Sequence, residues 1–126
     1  MLIDTIDHLV LTVSSIEDSI DFYSRVLGME AVEFGERRTA LKFGRHKINL
    51  HGPEDQIFPR AHTPTSGSAD LCLITSWGIQ EVIEHLQQRG VDIEVGPDAR
   101  TGAIGPITSV YVRDPDLNLI EISSYE

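Results

Sequence analysis

Hydrophobic and polar positions along this chain alternate between a two-residue and a 3.6-residue period, and they do so twice in the same order. Residues 6–13 and 69–75 are short apolar runs rich in β-branched side chains, the pattern of strands buried on at least one face. Each run leads into an amphipathic helix. In the first, Ser15 and Asp18 form a capping-box-like start, Ile16, Ile20, Tyr23 and Leu27 share a face, and Gly28 supplies the stop. In the second, Ile79, Val82, Ile83 and Leu86 make the apolar stripe and Gly90 ends it. His8 to Asp70 is 62 positions and Gly28 to Gly90 is also 62, so residues 68–90 repeat the earlier stretch without a gap and place Leu71 and Leu73 on Leu9 and Leu11.

The first helix is followed by predicted strands at 29–34, 38–43 and 47–51, with Gly35 and Gly44 at the turns. The second is followed by strands predicted at 91–95, 106–112 and 118–123. Residues 96–106, GPDARTGAIGP, read as a glycine-rich loop, and Arg113-Asp114-Pro115-Asp116 reads as a turn. The fold class expected is α+β, two tandem βαβββ modules at 1–51 and 68–126 within one domain of 126 residues. Residues 52–67, rich in Pro, Gly, Thr and Ser, are the linker.

Charge and composition narrow the partners. A net charge of -10, with 10 Lys+Arg against 20 Asp+Glu, lacks the basic footprint of a nucleic-acid or anionic-membrane surface, so a small-molecule or protein partner is expected. No run approaches the roughly 18 apolar residues of a membrane span, and the acidic start MLIDTID is unlike a signal peptide. The single cysteine, Cys72, has no disulfide partner in the chain and reads as a small buried hydrophobe. Together these features predict a soluble, cytoplasmic protein.

Strand alternation selects the candidate chemistry. In the last strand Ile120 and Ile122 belong under a helix, which sends Glu121 to the opposite face. By the same rule Ile48 and Leu50 pack inward, leaving Asn49 and His51 on the free face. The set Leu9, Leu11 and Val13 is the more apolar face of the first strand, so His8 takes the other, and the repeat places Asp70 equivalently. His8, His51 or Asn49, Asp70 and Glu121 are therefore expected to converge, a mixture of imidazole and carboxylate suited to Zn, Ni, Co, Mn or Fe(II). His46, His62 and His85 fall in a turn, the linker and a helix and read as surface residues, and Trp77 reads as packing.

The segments HLVLTV, DFYSRVLGM and RDPDLNLIEI, arranged on a paired βαβββ repeat, resemble the vicinal oxygen chelate superfamily, which includes glyoxalase I, fosfomycin-resistance thiol transferases, extradiol dioxygenases and bleomycin-binding proteins. KINLH, SGSADL and GPDARTGAIGPI resemble more narrowly the small glyoxalase-domain, lactoylglutathione lyase-like group. The resemblance covers essentially the whole chain. It implies the curved mixed-sheet cup of the glyoxalase/bleomycin resistance/dihydroxybiphenyl dioxygenase fold, a homodimer, and metal ligands at His8, His51 or Asn49, Asp70 and Glu121. Asp70 departs from the His or Glu that many members carry there.

The activity implied is that of a metal-dependent glyoxalase I-like lyase. It would act through an enediolate on the hemithioacetal of a 2-oxoaldehyde such as methylglyoxal, with glutathione or another thiol as cosubstrate. Glu121 or Asp70 would move the proton. Asn49, Arg38, Arg100 and Arg113 are the candidates to hold substrate. The alternatives are a fosfomycin-type thiol transferase, an extradiol dioxygenase-related enzyme using His8, His51 and Glu121, and a metal-free drug-binding protein of the bleomycin-resistance kind.

Overall fold

The computed structural model describes all 126 residues, which divide into two units at 1–67 and 68–126. Each unit is a βαβββ module carrying one four-stranded mixed sheet, an α+β architecture that repeats in sequence order.

In the first unit β1 (His8–Thr12) leads to helix α1 (Ile16–Asp21), then to β2 (Glu30–Phe34), β3 (Arg38–Phe43) and β4 (His46–His51), and the sheet order is β1-β4-β3-β2. Ser15 caps α1 by accepting the Asp18 backbone N–H at 3.1 Å, as the sequence leads one to expect. The helix does not run on as α-helix to Gly28. From Phe22 to Val26 it widens into a π-helical turn. The buried face is accordingly Ser19, Phe22, Tyr23 and Val26, with Ile16, Ile20 and Leu27 half-buried. Leu11, Leu41, Ile48 and Leu50 complete this unit's core.

In the second unit β5 (Asp70–Ile74), α2 (Ile79–Gln88), β6 (Val95–Thr101), β7 (Pro106–Arg113) and β8 (Leu119–Ser124) form a sheet ordered β5-β8-β7-β6. Val82 and Leu86 of α2, Val110 and Val112 of β7, and Ile120 and Ile122 of β8 are buried. Each such side chain contributes about 1.5–3 kcal/mol of burial free energy.

The strand expected at 91–95 lies instead at Val95–Thr101, inside the stretch read as a glycine-rich loop. The register shifts between Val95 and Asp98, a bulge that accommodates Gly96 and Pro97 on an edge strand where Pro removes no internal ladder bond. Gly96 has φ +102, and a Cβ there would strike the Ser109 carbonyl, so the bulge requires glycine twice over.

The Asp114 turn is built as a hydrogen-bond clamp. Its buried carboxylate accepts the backbone N–H of Asp116 and of Asn118, each at 2.9 Å, and the Asn118 side-chain amide at 2.8 Å. Asn118 Oδ1 in turn accepts the Ala69 N–H at 2.8 Å, tying the start of β5 to the start of β8. No helix is long and apolar enough to cross a membrane.

Candidate functional site

The strand registers place the candidate residues on a common grid. In the first unit His8 pairs with Lys47, Val10 with Asn49 and Thr12 with His51. In the second, Asp70 pairs with Leu119, Cys72 with Glu121 and Ile74 with Ser123. Paired residues share a face, so His8, Asn49 and His51 lie together on the face away from Leu11, Ile48 and Leu50. Asp70 and Glu121 lie likewise away from Ile120 and Ile122. The registers also answer what alternation left open: the counterpart of Glu121 is Asn49, and His51 corresponds to Ser123. His8 and His51 are offset by four residues, roughly 13 Å along the strand, too far for one ion to bridge them within this unit.

Glu121 is the best-supported group of the second unit. Its Oε2 accepts the Ser109 hydroxyl at 2.6 Å and the Ser123 hydroxyl at 3.3 Å, while those two hydroxyls lie 2.7 Å apart. Ser109 and Ser123 are fully buried, so the carboxylate is held from beneath on one oxygen and Oε1 keeps its lone pairs. Glu121 opens on a cavity of about 260 Å³ lined also by Cys72, Ile74, Gly102, Ile107 and Tyr125.

Cys72 corrects a sequence expectation. Its thiol is exposed on the cavity side, because Cys72 sits in register with Glu121 and Leu71 and Leu73 take the helix side. Loss of solvation and the neighbouring Glu121 charge push its pKa up, against a hydrogen bond with Ser123 Oγ at 3.3 Å that pulls it down.

His8 is exposed, and its Nδ1 lies 2.8 Å from Asp7 Oδ1, a contact that holds the Asp7 carboxyl below its ordinary range. The carboxylate is the acceptor in that contact, which favours a proton on Nδ1. Asp70 is exposed and within electrostatic reach of Arg113.

The three arginines part company. Arg113 makes a two-pronged ion pair with Glu94 at 3.0 and 3.1 Å and donates to the Leu117 carbonyl. Arg100 donates to the Tyr111 hydroxyl, the Ala99 carbonyl and Asp98. Both are committed to the protein itself. Arg38 has no such partner: its Nε is buried without a hydrogen bond, and its guanidinium lies 4.7 Å from the Phe34 ring centroid.

Residues 5–122 match the sequence profile of the Glyoxalase/Bleomycin resistance protein/Dioxygenase superfamily. The chain belongs to this superfamily. Over 125 residues it is 58% identical to virulence protein STM3117 of Salmonella typhimurium, an alignment covering 99% of this chain and 87% of that one. The crystal structure of that protein has a TM-score of 0.98 to this one at 57% identity, with 100% of each chain covered. Glyoxalase domain-containing protein RDO1 of Mycosarcoma maydis is 51% identical over 122 residues, 97% of this chain and 69% of that protein. Metallothiol transferase FosB of Staphylococcus epidermidis is 28% identical over 122 residues, covering 97% and 82% respectively.

Neither unit of this glyoxalase-superfamily chain gathers three or more His, Cys, Asp or Glu side chains around one point. His8 in the first unit and Glu121 in the second each have a support of their own. An imidazole whose far nitrogen is bound to a carboxylate, and a carboxylate with one oxygen held by hydroxyls and the other open, are the arrangements that hold metal ligands in place. Ser109 and Ser123 were not picked out from the sequence, since serines on a strand are common. Only the position of Ser123 beside Glu121, two residues along on the same face, offered a signal.

Proposed function

We propose that this chain is a metal-dependent lyase of the glyoxalase type that isomerises the hemithioacetal of a 2-oxoaldehyde, such as methylglyoxal, with glutathione or another small thiol. Its proposed ligands for a divalent ion are His8 in the first unit and Asp70 and Glu121 in the second. The half-satisfied carboxylate of Glu121 at the mouth of a cavity carries this reading. Superfamily membership supports it, as do a relative named as a glyoxalase-domain protein and another named as a metallothiol transferase.

An ion held by these residues would supply Lewis acidity to a bound hemithioacetal, whose carbon between oxygen and sulfur carries the hydrogen to be moved. Glu121 takes that proton and returns it to the neighbouring carbon. One C–H bond breaks, one forms, and the hydroxyl proton passes to the other oxygen, so hemithioacetal becomes thioester with no change in composition. Ser109 and Ser123 keep the carboxylate in one orientation through both transfers. Ile74 and Ile107 give the cavity an apolar wall that limits water at the reacting carbon.

The test is turnover of methylglyoxal hemithioacetals, followed by thioester absorbance, after loading with Ni, Zn, Co, Mn or Fe(II). Activity that falls at least about 100-fold in Glu121→Gln agrees with the reading. The absence of turnover with every metal and thiol contradicts it.

A further inference from the structure

The grid that equates Asn49 with Glu121 and His51 with Ser123 also equates Arg38 with Ser109. Ser109 stands opposite Ser123, and Arg38 falls one step beyond the Thr39–Leu50 pair, opposite His51. In the second unit these three positions form a closed network around a carboxylate. In the first they form the same triangle with the acid missing. Arg38 Nε, His51 Nε2 and Asn49 Oδ1 are all buried and all lack a hydrogen-bond partner, with Asn49 only 5% and His51 only 8% exposed.

Cations outnumber anions around this triangle. Lys47 Nζ lies 3.9 Å from the Phe34 ring centroid, and Arg38 stacks on the same ring, so two cations share one aromatic side chain. Burial and the charges of Arg38 and Arg60 push the His51 pKa down, while Asp55 pulls it up. Asp55 Oδ2 is already engaged by the Gly52 N–H at 2.7 Å. None of Arg38, Lys47 and Arg60 forms an ion pair. In a chain of net charge -10, cations outside any ion pair beside buried, unpartnered nitrogens of Arg38 and His51 are the reverse of the surface average. Two guanidinium groups beside His51 repel a divalent cation. A neutral imidazole N–H and a guanidinium N–H, by contrast, suit an anionic oxygen group, while Asn49 Oδ1 is an acceptor for a hydroxyl on the same ligand.

We infer that Arg38 and His51, backed by Lys47, form a binding site for an anionic oxygen group, a carboxylate or a phosphate, carried by a small-molecule ligand, with Asn49 Oδ1 placed to accept a hydroxyl of that ligand. The site completes with an external anion the network that Glu121 completes internally in the other unit. Unburdened by any need for metal or turnover, it stands apart from the lyase reading and fails or survives separately.

The test is calorimetric titration with sodium phosphate and, separately, with sodium lactate, in chloride buffer at constant ionic strength. The His51 ring signals, identified by their loss in His51→Gln, are followed by NMR. Saturable binding of either anion that moves those signals, and that weakens at least tenfold in both Arg38→Gln and His51→Gln, supports the site. Arg45→Gln removes the same charge from an exposed turn and leaves the affinity within twofold. Saturation by phosphate alone assigns a phosphate-bearing ligand, and by lactate alone a carboxylate-bearing one. A response that does not saturate, or that falls equally in Arg45→Gln, overturns the inference.

Discussion

Ser109 on β7 donates its hydroxyl to Glu121 on β8 at 2.6 Å, from a position with no solvent exposure. A carboxylate supported this way keeps one rotamer and one free oxygen. Ser109→Ala removes the shorter support and also leaves Ser123 without its partner at 2.7 Å. Metal affinity or kcat/KM should fall about 10-fold or more, and stability by about 1–3 kcal/mol. Steady-state kinetics beside urea denaturation would check both; an unchanged kcat/KM in a folded variant would remove Ser109 from the account.

Cys72 should react slowly for an exposed thiol. Its raised pKa lowers the thiolate fraction at any given pH, so alkylation by iodoacetamide should stay slow near neutrality and climb only above the ordinary cysteine range. Two variants should move the profile in opposite directions. Glu121→Gln removes a charge that disfavours the thiolate and should speed alkylation. Ser123→Ala removes the hydrogen bond that favours it and should slow alkylation further. The rate-against-pH curve of each variant reads this directly, and a shift in the same direction for both would be inconsistent with the geometry.

The Asp114 clamp should matter to stability and not to chemistry. Asp114→Ala strands the N–H groups of Asp116 and Asn118 and the Asn118 amide. The expected loss is about 2–4 kcal/mol in urea. Asp114→Asn, which keeps an acceptor oxygen, should lose less. A loss below about 1 kcal/mol in the alanine variant would show that water replaces these bonds freely.

Much of this structure is legible in the sequence because the signals are local. The 62-residue repeat, the cap at Ser15, and the alternation that separates Glu121 from Ile120 and Ile122 all follow from side-chain periodicity. The misplaced strand shows where locality ends: Gly96 and Pro97 read as loop residues, yet an edge strand with a bulge tolerates both. Both faces of β5 are apolar in sequence around Cys72, and only its pairing with Glu121 shows which side the thiol takes. The arginines look alike in sequence. What separates Arg38 from Arg100 and Arg113 is that Asp98, Tyr111 and Glu94 occupy the latter two, and those are tertiary contacts. Choosing Asn49 over His51 as the counterpart of Glu121 likewise needed the parallel register, since a strand's sequence does not state its offset.

Metal stoichiometry decides the proposed site, measured by elemental analysis on protein purified without added metal and again after incubation with Ni, Zn, Co, Mn or Fe(II). The expected result is about one divalent ion per chain, lost in His8→Ala and in Glu121→Ala and retained in His51→Gln. Wild-type protein that takes up none of these ions, or that keeps its ion in both His8→Ala and Glu121→Ala, would contradict it.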